Sequence, residues 1–186
     1  FYPTWDQQLA DELLEVYRLD PQSKVKTLSK GMESALGIIV GLASKAPITI
    51  FDEPYIGLDA AARKKFYNIL LEEYEKEKRM VIFSTHLIDE VSLLFEEILI
   101  LQNGELILQE QADQLRNNSF SVTGEIAEVE KFIQDKQVME TKKLANMMTA
   151  YVYGNPKEAE ESDLRIEGMP IQDLIIYLTE KEKEVK

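Results

Sequence analysis

The stretch Ile48-Thr49-Ile50-Phe51-Asp52-Glu53-Pro54 indicates the fold more strongly than any other part of this chain. Four apolar or β-branched residues in a row are typical of a strand that is buried on both faces of a parallel sheet. Asp52 and Glu53 then follow at its C-terminal end, where open α/β sheets bind ligands. One carboxylate can hold a hydrated Mg²⁺, and the next can orient or deprotonate a water molecule. The alternative is that two polar residues simply begin a loop.

A second strand with the same character lies further along the chain. Met80-Val81-Ile82-Phe83 is apolar and ends in Ser84-Thr85-His86, and an amphipathic helix is predicted between the two strands, over 60–78. Strand, helix and strand form one βαβ unit, so His86 is expected at the same sheet edge as the two carboxylates. A lone histidine is more often structural than catalytic, and only this placement favours a site.

The segment before the first strand predicts two helices. Thr4 and Gln7 have the spacing of a capping box, and a largely buried helix follows from Ser29. The sequence at the start of that second helix is Leu28-Ser29-Lys30-Gly31-Met32. Its free N–H groups would suit an anion such as phosphate, and Gly31 permits a close approach to the backbone. The alternative is that Ser29 is only an N-cap.

The rest of the chain predicts further helices and strands, with a small α+β appendage after Asn118. A helix is expected over 87–95, and Asn103-Gly104 predicts a hairpin that joins the strand 98–101 to the strand 105–108. The sequence changes character near Asn118. Beyond it we expect strands at 120–123, 149–153 and 164–166, and helices at 126–135 and 171–181.

Composition excludes several classes of function. The 186 residues carry a formal net charge of −13, which disfavours non-specific binding of nucleic acid. With no cysteine and one histidine, thiolate and multi-histidine metal sites are excluded. No apolar run has the length of about 18 residues that a membrane span requires. We therefore expect a cytoplasmic protein.

Taken in order, these segments resemble the motifs of ABC ATPases. Leu28–Met32 resembles the signature motif, Ile48–Glu53 the Walker B strand with its catalytic glutamate, Gly57–Asp59 the D-loop, and Ser84–His86 the switch histidine. The resemblance covers residues 1–116. The segment Asp52–Ala60 resembles bacterial transporter ATPases with an appended C-terminal domain, which points to the ATP-binding subunit of a bacterial ABC transporter. The resemblance implies part of a P-loop NTPase-like α/β fold. Residues 1–45 would be a helical subdomain remnant, 46–118 part of the catalytic core with its parallel sheet, and 119–186 the accessory α+β domain.

The resemblance also implies roles for individual residues, with ATP and Mg²⁺ as cofactors. Asp52 would bind Mg²⁺ through water, Glu53 would polarise the attacking water, and His86 would contact the γ-phosphate. Two such subunits, identical or different, would form a dimer.

The remaining motif residues would act across that dimer. Ser29, Lys30 and Gly31 would contact the ATP of the partner subunit, and Asp59 would couple the two sites. A membrane permease would be the second partner. The protein would then lie peripherally at the inner face of the cell membrane.

Some positions depart from the family pattern. Lys30 and Met32 stand where the family has Gly and Gln, and no Gly-x-x-x-x-Gly-Lys phosphate loop occurs in the chain. We expect that loop before Phe1, and we expect the 186 residues alone to be inactive. The alternatives are a soluble ABC-type ATPase that is not tied to transport, a non-catalytic regulatory or interaction module, and, least favoured, a serine hydrolase.

Overall fold

The computed structural model describes residues 2–159 and 162–184. The chain divides into two compact units, one ending at Leu87 and the other beginning at Ile88. Among the described residues, no helix is both long enough and apolar enough to cross a bilayer. The three-part division expected from the sequence stays a prediction.

The first unit contains three helices and a two-stranded parallel sheet, with a 3₁₀ turn between the first two helices. Strands β1 and β2 pair in parallel, as the βαβ pattern predicts. In chain order the elements are α1 (Gln7–Tyr17), the 3₁₀ turn Val25–Thr27, α2 (Lys30–Ala43), β1 (Ile48–Asp52), α3 (Ala60–Lys76) and β2 (Met80–Ser84).

Close packing of α2 and of an aromatic cluster covers one face of this sheet. The rings of Phe51 and Phe66 meet edge to face with centroids 5.4 Å apart, and Phe66 stacks on Phe83 at 5.8 Å. Gly41 of α2 lies directly against Phe51, because a Cβ at that position would be 2.5 Å from the ring. The glycine therefore lets the helix approach β1 closely.

The other face of the sheet is open, so the expected burial of β1 on both faces is wrong for this chain. The four outward side chains are 49–68% exposed, whereas Thr49 and Phe51 on the inner face are 7% and 5% exposed. The alternation of a strand sends successive side chains to opposite faces, and α2 covers only one. The outward residues are Ile48, Ile50, Met80 and Ile82.

A buried ion pair ties the end of α2 to α3. The Lys45 ammonium contacts the carboxylate of Glu73, which is 4% exposed, and Lys76 donates to the same carboxylate at 2.7 Å. Burial acts to raise the pKa of Glu73, but the hydrogen bonds and charges of the two lysines outweigh it and lower the pKa. Lys45 has a left-handed φ of 48° just after the helix, a conformation that favours glycine.

Two predicted helix boundaries near this unit are wrong. Asp6 caps α1, accepting a hydrogen bond from the Leu9 N–H at 3.0 Å, whereas Thr4 donates to the Ser44 carbonyl at 2.6 Å. The capping box fails because Thr4 has a partner 40 residues away. The helix predicted over 87–95 is the single turn α4 (Ile88–Val91), which opens the second unit.

The second unit is the α+β part of the chain. The predicted hairpin forms, with left-handed φ values of 52° at Asn103 and 83° at Gly104. Four antiparallel strands make the larger sheet in the order β6-β7-β5-β8. The elements after α4 are β3 (Glu97–Gln102), β4 (Glu105–Gln111), α5 (Ala112–Asn117), β5 (Ser119–Glu125), α6 (Ile126–Phe132), β6 (Gln137–Leu144), β7 (Met147–Tyr153), the 3₁₀ turn Pro156–Ala159, β8 (Arg165–Gly168) and α7 (Ile171–Glu184).

The sequence did not predict α5 or β6. Strand β6 is polar and largely exposed, so it lacks the alternating apolar pattern of a half-buried strand. It forms because it pairs with β7 along nearly its whole length. The core of the sheet lies on the side covered by α6 and includes Phe120, Val122, Val129, Ala150 and Val152.

We expect Lys45→Met to lower the free energy of unfolding by about 3 kcal/mol, because it leaves a buried carboxylate with one partner fewer. Lys76→Met is the matched control on the same carboxylate. The Lys76 side chain is 67% exposed, so its loss should cost at most about 1 kcal/mol. Urea unfolding of the three proteins near neutral pH measures both differences.

The Lys45→Met deficit should also depend on pH. A lowered pKa in the folded state contributes stability above the unfolded value, and that stability disappears as pH falls through the folded value. The deficit should therefore shrink below the ordinary glutamate pKa of 4.5. Equal losses in the two variants, or a deficit that persists in acid, would contradict the role of the pair.

Candidate active site

The register of the parallel pair brings the ends of β1 and β2 together. Asp52 lies opposite Ser84. The Ser84 hydroxyl donates to Asp52 Oδ1 at 2.6 Å and accepts from the Glu53 N–H at 2.9 Å. Ser84 therefore holds the backbone where the chain leaves the strand. There Glu53 adopts a left-handed φ of 46°, which is uncommon for a residue with a side chain.

This geometry brings Glu53 and His86 into contact. The His86 Nδ1 lies 3.0 Å from Glu53 Oε1 and 2.8 Å from Oε2. Both groups are accessible, because the side chain of His86 is 68% exposed and that of Glu53 is 28% exposed. The expectation that the strand ends bring these residues together is met, and a solvent-facing carboxylate and imidazole now share one edge.

The sequence did not predict Tyr55 as a site residue, yet it lies beneath this pair. Tyr55 is only 4% exposed. Its hydroxyl contacts Glu53 Oε2, the His86 Nδ1 at 3.0 Å and the Thr85 Oγ1 at 3.1 Å. The backbone N–H of His86 donates to the same oxygen at 3.0 Å. Its only sequence signal is a polar aromatic residue two positions after the carboxylate.

These contacts shift the pKa values of both acids. Burial acts to raise the pKa of Glu53, but the hydrogen bonds from His86 and Tyr55 and the charge of His86 outweigh it, so the pKa is lowered. Burial, followed by the hydrogen bond to Glu53, raises the pKa of Tyr55. At neutral pH the carboxyl is therefore ionised and the phenol keeps its proton.

Asp52 is the exposed carboxylate at the strand end, and it has the chemistry that Mg²⁺ accepts. Its Oδ1 accepts the hydrogen bond from Ser84. No cluster of three or more metal-ligating side chains occurs among residues 2–159 and 162–184. A single exposed carboxylate such as Asp52 fits an ion that takes one carboxylate, directly or through water, and most of its other ligands from elsewhere, as Mg²⁺ does with phosphates.

The segment Ser29-Lys30-Gly31 lies at the start of α2. Ser29 is the N-cap, and its hydroxyl accepts from the Met32 N–H at 3.3 Å. Gly31 lies against the backbone of Gly57, since a Cβ on Gly31 would be 2.4 Å from the Gly57 carbonyl oxygen. What approaches Gly31 closely is therefore the loop that follows Glu53 in the same chain.

Asp59 ends that loop as the N-cap of α3. Its Oδ1 accepts from the Ala62 N–H at 2.8 Å, and the residue is exposed. Gly57 has a left-handed φ of 83°, and the Ser34 hydroxyl donates to the Ile56 carbonyl at 2.5 Å. The structure thus groups Asp52, Glu53 and His86 at the strand ends. The loop 53–59 joins them to the start of α2 and to Asp59.

We expect Gly31→Ala to destabilise the first unit by about 1–3 kcal/mol, because its methyl group would overlap the Gly57 backbone. Gly37→Ala is the control in the same helix. A Cβ there has no neighbour within 4 Å, and alanine favours the helix by up to about 1 kcal/mol. Thermal unfolding followed by circular dichroism compares the two. A Gly31→Ala protein as stable as the Gly37→Ala protein would mean that the close contact does not exist.

This chain is similar in sequence and in fold to known proteins. Residues 14–92 match the family model described as "AAA domain, putative AbiEii toxin, Type IV TA system". A solved structure of the ATP-binding subunit of an ABC transporter is 26% identical. It covers 60% of this chain and 48% of its own, with a TM-score of 0.53. The α/β fold class predicted from the sequence is therefore confirmed as that of ABC ATPase domains.

The curated proteins to which this chain is similar include ATP-binding proteins of bacterial transport systems. The uncharacterized ABC transporter ATP-binding protein YdbJ of Bacillus subtilis is 35% identical over 163 residues, which are 84% of this chain and 48% of YdbJ. The aliphatic sulfonates import ATP-binding protein SsuB of the same organism is 37% identical over 98 residues, 52% of this chain and 38% of SsuB. The chain spans about half or less of the relatives it matches. Its predicted relationship to ATP-binding subunits of ABC transporters is confirmed.

Proposed function

We propose that this chain is part of an ATP-hydrolysing subunit that powers transport through a membrane permease. The contact between Glu53 and His86 carries the proposal, because it unites a carboxylate and an imidazole at the carboxyl ends of two parallel strands. Glu53 is the group that polarises the attacking water, and its lowered pKa keeps it ionised at neutral pH. His86 is the group that contacts the γ-phosphate.

ATP and Mg²⁺ are the proposed cofactors. Asp52 holds the ion through water, and its exposed position at the strand end supports this role. When bound, Mg²⁺ neutralises charge on the phosphates. Ser84 orients Asp52 and the Glu53 backbone together, so both carboxylates keep a defined position relative to the strand ends.

Ser29, Lys30 and Gly31 are proposed to bind the ATP of a second subunit, identical or different. They open a helix of 14 residues, whose N-terminal dipole and free N–H groups favour a phosphate, and Lys30 adds a positive charge. The contact between Gly31 and Gly57 supports coupling of this segment to the loop that carries Glu53. Asp59 at the end of that loop is proposed to couple the two sites of the dimer.

The relatives support a membrane permease as partner and a peripheral position at the inner face of the cell membrane. YdbJ and SsuB are both ATP-binding proteins of transport systems. The net charge of −13 supports a protein partner over nucleic acid. We therefore favour a transporter subunit over an ABC-type ATPase acting elsewhere.

Substitutions in the full-length protein test this proposal. Glu53→Gln keeps the shape of the side chain but cannot accept a proton, so ATP should still bind while hydrolysis falls by about 10²- to 10⁴-fold. The ATP-bound dimer should accumulate, which size-exclusion chromatography would detect. His86→Ala should lose turnover in the same range with only mildly weakened ATP binding.

Glu72→Gln is the matched control, because it makes the same chemical change at an exposed position of α3. It should hydrolyse ATP at the rate of the unmodified protein. Normal hydrolysis in Glu53→Gln would remove Glu53 from its proposed role as the water-activating base.

The 186 residues alone should bind ATP weakly or not at all and should not hydrolyse it. The chain contains no Gly-x-x-x-x-Gly-Lys sequence, and in P-loop enzymes that loop makes most of the phosphate contacts. Isothermal titration calorimetry with Mg-ATP provides the test. A dissociation constant in the micromolar range would show that this chain binds nucleotide by other means.

A further inference from the structure

Tyr55 has no role in the proposed reaction, yet its hydroxyl is the most densely connected polar group near the site. The ring is buried, with its centroid 6.2 Å from that of Phe83 and 5.5 Å from that of His86. This aromatic packing fixes the position of the oxygen. The oxygen lies within hydrogen-bond distance of Glu53, Thr85 and both the backbone and the ring of His86.

The numbers of protons and lone pairs on the Tyr55 hydroxyl determine whether it donates or accepts in each of these hydrogen bonds. A phenol oxygen has one proton to donate and two lone pairs. The Thr85 hydroxyl donates to it at 3.1 Å and the His86 backbone N–H at 3.0 Å, so both lone pairs are used. The single proton of Tyr55 is donated to Glu53 Oε2. The oxygen therefore has no lone pair left for the His86 Nδ1.

This arrangement determines the protonation of the His86 ring. An unprotonated Nδ1 would hold a lone pair 2.8–3.0 Å from an ionised carboxylate, which is repulsive. A protonated Nδ1 donates to Glu53 instead, and the hydrogen bond of one ring nitrogen determines the state of the other. The proton therefore lies on Nδ1, and Nε2 is the nitrogen left for a ligand on a side chain that is 68% exposed.

We propose that Tyr55 is a positioning residue that holds His86 in the Nδ1–H form against Glu53 and so presents Nε2 at the site. That Nε2 faces phosphate rests on the proposed function, whereas the state of the ring does not. The hydroxyl acts in two ways. It donates its proton to Glu53 Oε2, and, because both of its lone pairs are used, it cannot accept a hydrogen bond from the His86 Nδ1–H. Without this hydroxyl, the carboxylate and the imidazole lose the group that anchors both of them. His86 Nδ1 is then no longer held against Glu53, and the ring can return to the Nε2–H form that free histidine favours.

The ¹⁵N chemical shifts of the imidazole test the proposal directly on this chain without nucleotide. His86 is the only histidine, so its ring signals need no further assignment. In a pH series, the neutral ring of the unmodified chain should show Nδ1 in the protonated range and Nε2 in the unprotonated range. In Tyr55→Phe the Nδ1 shift should move toward the unprotonated range and the Nε2 shift toward the protonated range.

Tyr67→Phe is the matched control. Tyr67 is also buried, at 7% exposure, and its ring packs against Phe66 and the same Phe83, so this variant removes a phenol hydroxyl from the same aromatic cluster. It should leave the His86 shifts unchanged. A shift in Tyr67→Phe as large as in Tyr55→Phe would mean that general loosening of the cluster, and not the Tyr55 hydroxyl, is responsible.

The unmodified chain alone can overturn the proposal, even if Tyr55→Phe fails to fold. A neutral His86 with its proton on Nε2 would contradict it, as would an unchanged tautomer in a folded Tyr55→Phe protein. In the full-length protein, Tyr55→Phe should lower kcat for ATP hydrolysis about 10- to 100-fold while KM changes less than about twofold. An unchanged kcat would separate the tautomer from catalysis and would remove the functional half of the proposal.

The tautomer measurement on His86 can succeed or fail independently of the proposed function. If Glu53→Gln keeps normal ATPase activity while the ring of the unmodified chain carries its proton on Nδ1 and Tyr55→Phe moves it, the assignment of Glu53 as the water-activating base fails and the positioning role stands. If Glu53→Gln is inactive and the tautomer does not respond to Tyr55→Phe, the ATPase assignment stands and the positioning role fails.

Discussion

The parallel pairing of β1 with β2 in a single register is the constraint on which the candidate site depends. It places Asp52 opposite Ser84, so that one serine hydroxyl bridges Asp52 and the Glu53 backbone. A slip of one residue would send every side chain of a strand to the other face of the sheet. It would move Phe51 out of the core, and it would also separate Glu53 from His86.

Packing on one face of the sheet maintains that register. Gly41 lets α2 approach Phe51, and Phe66 from α3 fills the space between Phe51 and Phe83. The ion pair of Lys45 with Glu73 then links the end of α2 to α3. The register is thus held by the packing of α2 and α3 on the inner face, while the strand ends stay accessible to solvent.

The loop 53–59 converts the strand ends into a site with two parts. It begins at the left-handed Glu53, buries Tyr55, turns through Gly57 and ends where Asp59 caps α3. Its contact with Gly31 fixes the start of α2 beside it. A displacement at α2 would therefore reach Glu53 through only a few residues of backbone.

Local sequence determined the features whose causes are local. The apolar runs predicted β1 and β2, and the place of Asp52, Glu53 and His86 directly after these runs predicted that they lie at the strand ends. Asn103-Gly104 predicted its hairpin because both residues accept a positive φ. Tertiary structure determined what depends on partners distant in the chain. The hydroxyl of Tyr55 contacts Thr85 and His86, which lie 30 and 31 positions further along the chain. The ammonium of Lys45 contacts the carboxylate of Glu73, which lies 28 positions further along. No local pattern records such contacts, since they exist only once the strands pair and the helices pack.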